Sequence, residues 1–183
     1  MPKSKYDQAI KRQLLRPDHG QRSVIQHLDA LEKRLKKCQQ IQEPSLANRV
    51  LTLLKRNQQP VKATKGLYIW GSVGRGKTHM MDLFYDCLPI KKKLRLHFHR
   101  FMQEVHNQLS LIENRENPLD DVALHFHRRA DVLCLDELFV SDIGDAMILA
   151  SLLESLFKHG VTLVSTSNCH PDELYKGGLQ RQK

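Results

Sequence analysis

The chain has 183 residues, 40% hydrophobic and 27% charged, with a net charge of +9, enough for one core with an appended arm and typical of a globular protein. No apolar run reaches the roughly eighteen residues of a membrane-spanning helix. The opening residues lack an apolar signal core, and Asp7 and Asp18 speak against a mitochondrial presequence, so a cytosolic chain is expected.

The charge is unevenly spread. Residues 1–62 hold 14 Lys/Arg against 5 Asp/Glu, whereas residues 63–183 hold 15 of each. Residues 1–60 are therefore expected to be a basic helical arm, able to steer the chain to an acidic protein, nucleic acid or anionic lipid, or else to present a solvated helix surface. Cys38, Cys87, Cys134 and Cys169 form no C-x-x-C pair, which argues against a zinc ribbon or a redox motif. Cys87, Cys134 and Cys169 stand among apolar neighbours and are expected to be buried thiols in a reducing compartment.

In chain order, Val24, Ile25, Leu28, Leu31 and Leu35 predict a helix over 21–41, and Leu46, Val50, Leu53 and Leu54 a second over 45–55, broken at 57–60. The character changes at Gly66. A short apolar strand, 67–70, runs into a glycine loop, and a helix follows over 78–88 with Met81, Phe84 and Leu88 on one face. Residues 94–98 alternate like a strand, 101–112 and 122–129 read as helices, and 131–135 as a buried strand. Ser141 and Asp142 cap a helix that runs to about His159 and stops at Gly160, and 161–166 is another buried strand. Strand and helix alternate, which predicts an α/β fold with a parallel sheet covered on both faces.

The loop Gly71, Ser72, Val73, Gly74, Arg75, Gly76, Lys77 and Thr78 fits G-x-x-x-x-G-K-[ST] at every fixed position, in a strand–loop–helix context. Its glycines let backbone N–H groups turn inward around phosphate oxygens, and the following helix points its positive end at them. Lys77 supplies charge to the β/γ-phosphates of ATP, and the Thr78 hydroxyl can ligate Mg²⁺. A second hard ligand is needed. The strand ending in Asp136 and Glu137 provides it at the sheet edge where such folds bind ligands. Asp136 is expected to hold Mg²⁺, and Glu137 to polarise the attacking water. Asn168, ending the next strand, can hold that water or simply satisfy its own backbone.

Five stretches, GLYIWGSVGRGKTHMMDLFYDCLP, RLHFHRFMQEVH, DVLCLDELFVSDIGDAMIL, LFKHGVTLVSTSN and PDELYKGGLQR, resemble the AAA+ family that holds the ZapE-type cell-division ATPases of bacteria and the Afg-type, or lactation-elevated, proteins of mitochondria. The resemblance runs from about residue 61 to 181 and more loosely over the N-terminal helices. It implies a P-loop NTPase three-layer sandwich of AAA+ type over 61–183. It also implies ATP hydrolysis and, for bacterial members, ATP-dependent destabilisation of FtsZ polymers at the constricting division ring; mitochondrial members act in quality control of inner-membrane respiratory-chain proteins. Gly71 to Thr78 match Walker A, Asp136 and Glu137 Walker B, and Asn168 the sensor. Arg181 matches the place of an arginine that completes a neighbour's site, which implies a nucleotide-dependent homo-oligomer. The family continues into a fifth strand and a lid, so the expectation for these 183 residues is a core without its C-terminal lid. Leu135 and Leu138 stand where aromatic residues are expected.

Ten histidines invite a metal, but no zinc spacing appears. Two of them, His97 and His99, are expected to alternate on one strand face. Phe98, His99, Arg100 and Phe101 either face a central pore or, for both Phe, pack in the core. Two other functions stay open: a nucleic-acid-associated, helicase-loader-like ATPase, and a nucleotide-binding fragment with little turnover.

Overall fold

The computed structural model describes residues 1–13, 15, 17–42, 63–112 and 115–175. The predicted helix over 45–55, the break at 57–60 and Arg181 lie outside the described residues. The elements are α1 (Pro2–Lys11), α2 (His19–Gln42), β1 (Leu67–Trp70), α3 (Lys77–Cys87), β2 (Lys93–His97), α4 (Phe98–Ser110), α5 (Pro118–Arg129), β3 (Val132–Asp136), α6 (Ile143–Lys158) and β4 (Thr162–Ser167), then a 3₁₀ turn at Pro171–Glu173. The four strands pair in parallel in the order β1-β4-β3-β2.

Strand β3 is buried throughout. Its side chains alternate between the two faces, as the pleat requires. Leu133 and Leu135 join Phe101, Phe126 and Leu152 on the face covered by α4, α5 and α6. Val132 and Cys134 join Tyr6, Leu28, Met81 and Phe84 on the face covered by α1, α2 and α3. The basic arm thus contributes to the core. Ile25, Leu28, Leu31 and Leu35 of α2 are all buried, each burial contributing about 1.5–3 kcal/mol before the cost of ordering.

Several boundaries moved. Alternation predicts that Phe98 ends a strand, but Phe98 opens α4 and is buried, as is Phe101; the core reading holds for both. His99 therefore lies in the first turn of a helix and does not share a strand face with His97. Helix α5 starts four residues before the expected Val122, because Pro118 at its first turn is preorganised for a helix and leaves no donor stranded. Among the cysteines only Cys134 is fully buried. Cys87 and Cys169 are half-buried, because each stands where a helix or a strand runs out. Asp142 caps α6 as expected, its carboxylate accepting from the N–H groups of Gly144 and Asp145, and Gly160 turns the chain at φ 83°.

Two contacts fix the site's neighbours. A Cβ on Gly66 would lie 1.7 Å from the Leu163 carbonyl oxygen, so β1 sits against β4 only because residue 66 is glycine. At the other edge, the Lys93 ammonium donates to the Tyr85 and Leu88 carbonyls at 2.6 and 2.8 Å, tying the end of α3 to the start of β2.

Candidate nucleotide site

Parallel strands bring their C-terminal ends to one edge, and the predicted residues meet there. The loop from Gly71 to Gly76 links β1 to α3. Gly74 and Gly76 have φ of 80° and 77°, which L side chains rarely adopt. No atom lies within 4 Å of where a Cβ on Gly71 or Gly74 would stand, so the loop is an open cradle. Ser72, Val73, Gly74 and Arg75 are exposed, as is the Thr78 hydroxyl residue in the first turn of α3. The Lys77 ammonium donates to the Gly71 and Ser72 carbonyls at 2.7 and 2.9 Å. Partial burial holds its pKa below the ordinary lysine value, and the negative charge of Glu137 opposes that shift.

The arm supports this loop from outside. Gln21 on α2 donates from Nε2 to the Arg75 carbonyl at 3.2 Å and accepts from the Tyr6 hydroxyl at 3.3 Å, while Arg75 Nη1 lies 3.7 Å from Asp18 Oδ2.

Across the cleft, Asp136 and Glu137 have opposite environments. Asp136 is 3% exposed. Its Oδ2 accepts from Arg95 Nε at 2.6 Å, and Oδ1 receives only a long contact, 3.4 Å, from the Thr166 hydroxyl. Arg95 Nη1 also donates to Asp82 on α3. Burial alone would lower the Arg95 pKa, but hydrogen bonds to Asp136 and Asp82 outweigh it and hold the guanidinium above its ordinary value. Glu137 is exposed, at φ 58°, its N–H donating to Thr166 Oγ1 at 3.1 Å and its carboxylate 3.8 Å from His97 Nδ1. A left-handed glutamate at a strand end is a strained backbone held by its surroundings, as functional sites often show.

One cleft of about 620 Å³ is lined by Gly74, Lys77, Thr78, Asp82, Glu137 and Asn168. A second, of about 610 Å³, flanks the loop on the arm's side, between Asp18, Gln21 and Val24 and the end of β1. The open cradle, the Thr78 hydroxyl and the Asp136 carboxylate are oxygen and N–H groups of the kind that suit a phosphate chain and a hard cation. Among the described residues no group of three or more His, Cys, Asp or Glu is placed to hold a metal ion.

The sequence reading misses Arg95, Asp82, Thr166 and Gln21. Two of them carry a local signal: Asp82 stands one helical turn after Thr78, and Arg95 is a charge flanked by Leu94 and Leu96 in a short strand.

Comparisons with known proteins agree with this geometry. The profile of the AFG1-like ATPase family matches residues 1–183. Cell division protein ZapE of Escherichia coli K12 is 44% identical over all of this chain and 49% of its own length. Lactation elevated protein 1 homolog B of Danio rerio is 46% identical over 64% of this chain and 25% of its own. The chain thus spans about half the length of the bacterial relative, or less for the other. The structure of AMPPCP-bound DnaA from Aquifex aeolicus superposes with a TM-score of 0.59 at 16% identity, over 92% of this chain and 44% of that one, so the two share a fold. This chain belongs to the AFG1-like ATPase family.

Proposed function

We propose that this chain is the Mg²⁺-dependent ATP-binding and ATP-hydrolysing core of a cell-division ATPase. The observation that carries the reading is the shared cleft: the P-loop's Lys77 and Thr78 face Glu137 and Asn168 across one space. Phosphate oxygens take the inward N–H groups of the loop and the positive start of α3. Lys77 leaves the Gly71 and Ser72 carbonyls and places its charge on the β/γ-phosphates. The cavity beside Asp18, Gln21 and Val24 takes the base and ribose.

Thr78 and Asp136 would hold Mg²⁺, which when bound would supply positive charge against the charge that develops on the phosphates. Glu137 accepts a proton from the attacking water, and Asn168 orients that water. Water's oxygen joins the γ-phosphorus as the bond to the ADP oxygen breaks, giving ADP and phosphate. Arg181 of a neighbouring copy would complete the site, which makes the active form a nucleotide-dependent homo-oligomer.

The client reading rests on the whole-chain similarity to a relative named for cell division. The proposed partner is FtsZ polymer at the constricting ring, with the chain cytoplasmic and recruited to the division site at the inner membrane. Hydrolysis shifts the chain between states that grip the polymer differently. Among the described residues no helix is long and apolar enough to cross a membrane. The test is sedimentation of FtsZ polymers with the intact protein: ATP is expected to lower the pelleted fraction and a non-hydrolysable analogue to leave it unchanged. No difference between the two overturns the client assignment.

A second reading, a nucleic-acid-associated ATPase, is favoured by the exposed Arg22, Lys33, Arg34 and Lys37 on α2. It requires DNA binding that weakens steeply with salt; a flat response removes it.

A further inference from the structure

Arg95 belongs to none of the motifs, yet its guanidinium binds two carboxylates at the sheet edge. Register explains why. Arg95 pairs with Cys134 across β2 and β3, and so shares the face on which Cys134 meets α3. Asp136 lies two residues further along β3, on the same face. Asp82 lies on α3, one turn after Thr78. The guanidinium sits between the three elements, 21% exposed, with Nε on Asp136 and Nη1 on Asp82.

The chemistry of the two carboxylates makes this bridge consequential. A carboxylate as buried as Asp136 is unfavourable without a partner. Arg95 supplies one through a planar fork whose separate nitrogens reach separate acids, which a lysine ammonium on a flexible stem cannot reproduce. The bond is to Oδ2. That leaves Oδ1, with its one long contact from Thr166, as the oxygen with capacity for a further ligand. The same guanidinium anchors the helix that begins with Lys77 and Thr78. One side chain thus fixes both the β3 carboxylate and the helix carrying the P-loop hydroxyl.

We propose that Arg95 is a positioning residue for the divalent cation: by clamping Asp136 Oδ2 and Asp82 together, it holds Asp136 Oδ1 and the Thr78 hydroxyl at the separation the cation requires. The proposal rests on the reading of Asp136 and Thr78 as the Mg²⁺ ligands. Arg95 acts through these residues and does not itself touch the nucleotide. Partners that orient metal ligands in this way typically govern metal affinity by ten- to a hundredfold.

The test uses the intact protein and a fluorescent, non-hydrolysable ATP analogue. Its dissociation constant is measured in EDTA and across a Mg²⁺ titration, for wild type, Arg95→Lys and Asp82→Asn, with melting temperatures alongside. Arg95→Lys keeps the charge but loses the fork. Its affinity in EDTA is expected to stay within about twofold of wild type, while the Mg²⁺ concentration at half-effect rises about tenfold. Asp82→Asn weakens the far tie and leaves the Arg95–Asp136 bond in place; it should raise that midpoint by about threefold, which keeps the test decisive if Arg95→Lys fails to fold. Unchanged Mg²⁺ midpoints in the folded variants overturn the proposal, as does an equal loss with and without Mg²⁺. A wild type whose nucleotide affinity ignores Mg²⁺ instead overturns the assignment of Asp136 and Thr78 as ligands.

Discussion

The two walls of the cleft are built on opposite principles. The β1–α3 wall is backbone: exposed, glycine-rich, at positive φ, with the Lys77 ammonium resting on the loop's own carbonyls. The β3 wall is side chain: a fully buried strand that ends in a carboxylate locked by an arginine. The first wall is open for a ligand to fill, and the second is set before any ligand arrives. A site that recognises phosphate through N–H groups needs the first kind of wall, and one that fixes a cation needs the second.

The largest expected contrast lies within the cysteines. Burial pushes the Cys134 thiol up to about 12, from an ordinary value of 9.0. At pH 8 its thiolate fraction is therefore about a thousandfold below that of an ordinary thiol, and it rises only as pH approaches 12. Alkylation of the native chain at pH 8 should label exposed Cys38 and spare Cys134; labelling of both at similar rates would mean that β3 is not the closed wall described.

Next comes Gly66→Ala. The added Cβ meets a backbone carbonyl rather than a flexible side chain, so β1 must shift from β4, with an expected loss of about 3 kcal/mol in chemical denaturation. A loss below about 0.5 kcal/mol would show that the glycine loop is not anchored through this approach. Lys77→Ala removes the positive charge that lines the shared cleft and should weaken ATP binding about 30-fold by titration, with little change in melting temperature, since its present bonds go to loop carbonyls. The smallest effect is expected away from both walls. Asp142→Ala removes the cap of α6 and should cost about 1 kcal/mol while leaving nucleotide affinity unchanged.

The same contrast governs what the sequence could reveal. The open wall is local: its glycines, Lys77 and Thr78 are consecutive, so their spacing alone specifies the turn. Asp136 and Glu137 were legible because they end an apolar run, and Asp142 and Gly160 because capping chemistry is local too. Arg95 was not legible, because its partners are 41 and 13 residues away and only the strand register brings them together. Gln21 reaches Arg75 across 54 residues for the same reason. Helix α1 went unassigned as a separate element because only Tyr6 and Pro2 of its ten residues are buried, too few to write an apolar period. Phe98 was placed in a strand because its burial continues the alternation of β2 into the first turn of α4.

The central claim is that the two walls together hydrolyse ATP, with Glu137 acting on water and not on binding. It is tested most directly by measuring nucleotide affinity and Mg²⁺-dependent phosphate release in the intact protein and in Glu137→Gln. The account predicts equal ATP affinity and a turnover lowered by about 10²–10⁴-fold in the variant. Turnover at the wild-type rate in Glu137→Gln would contradict it.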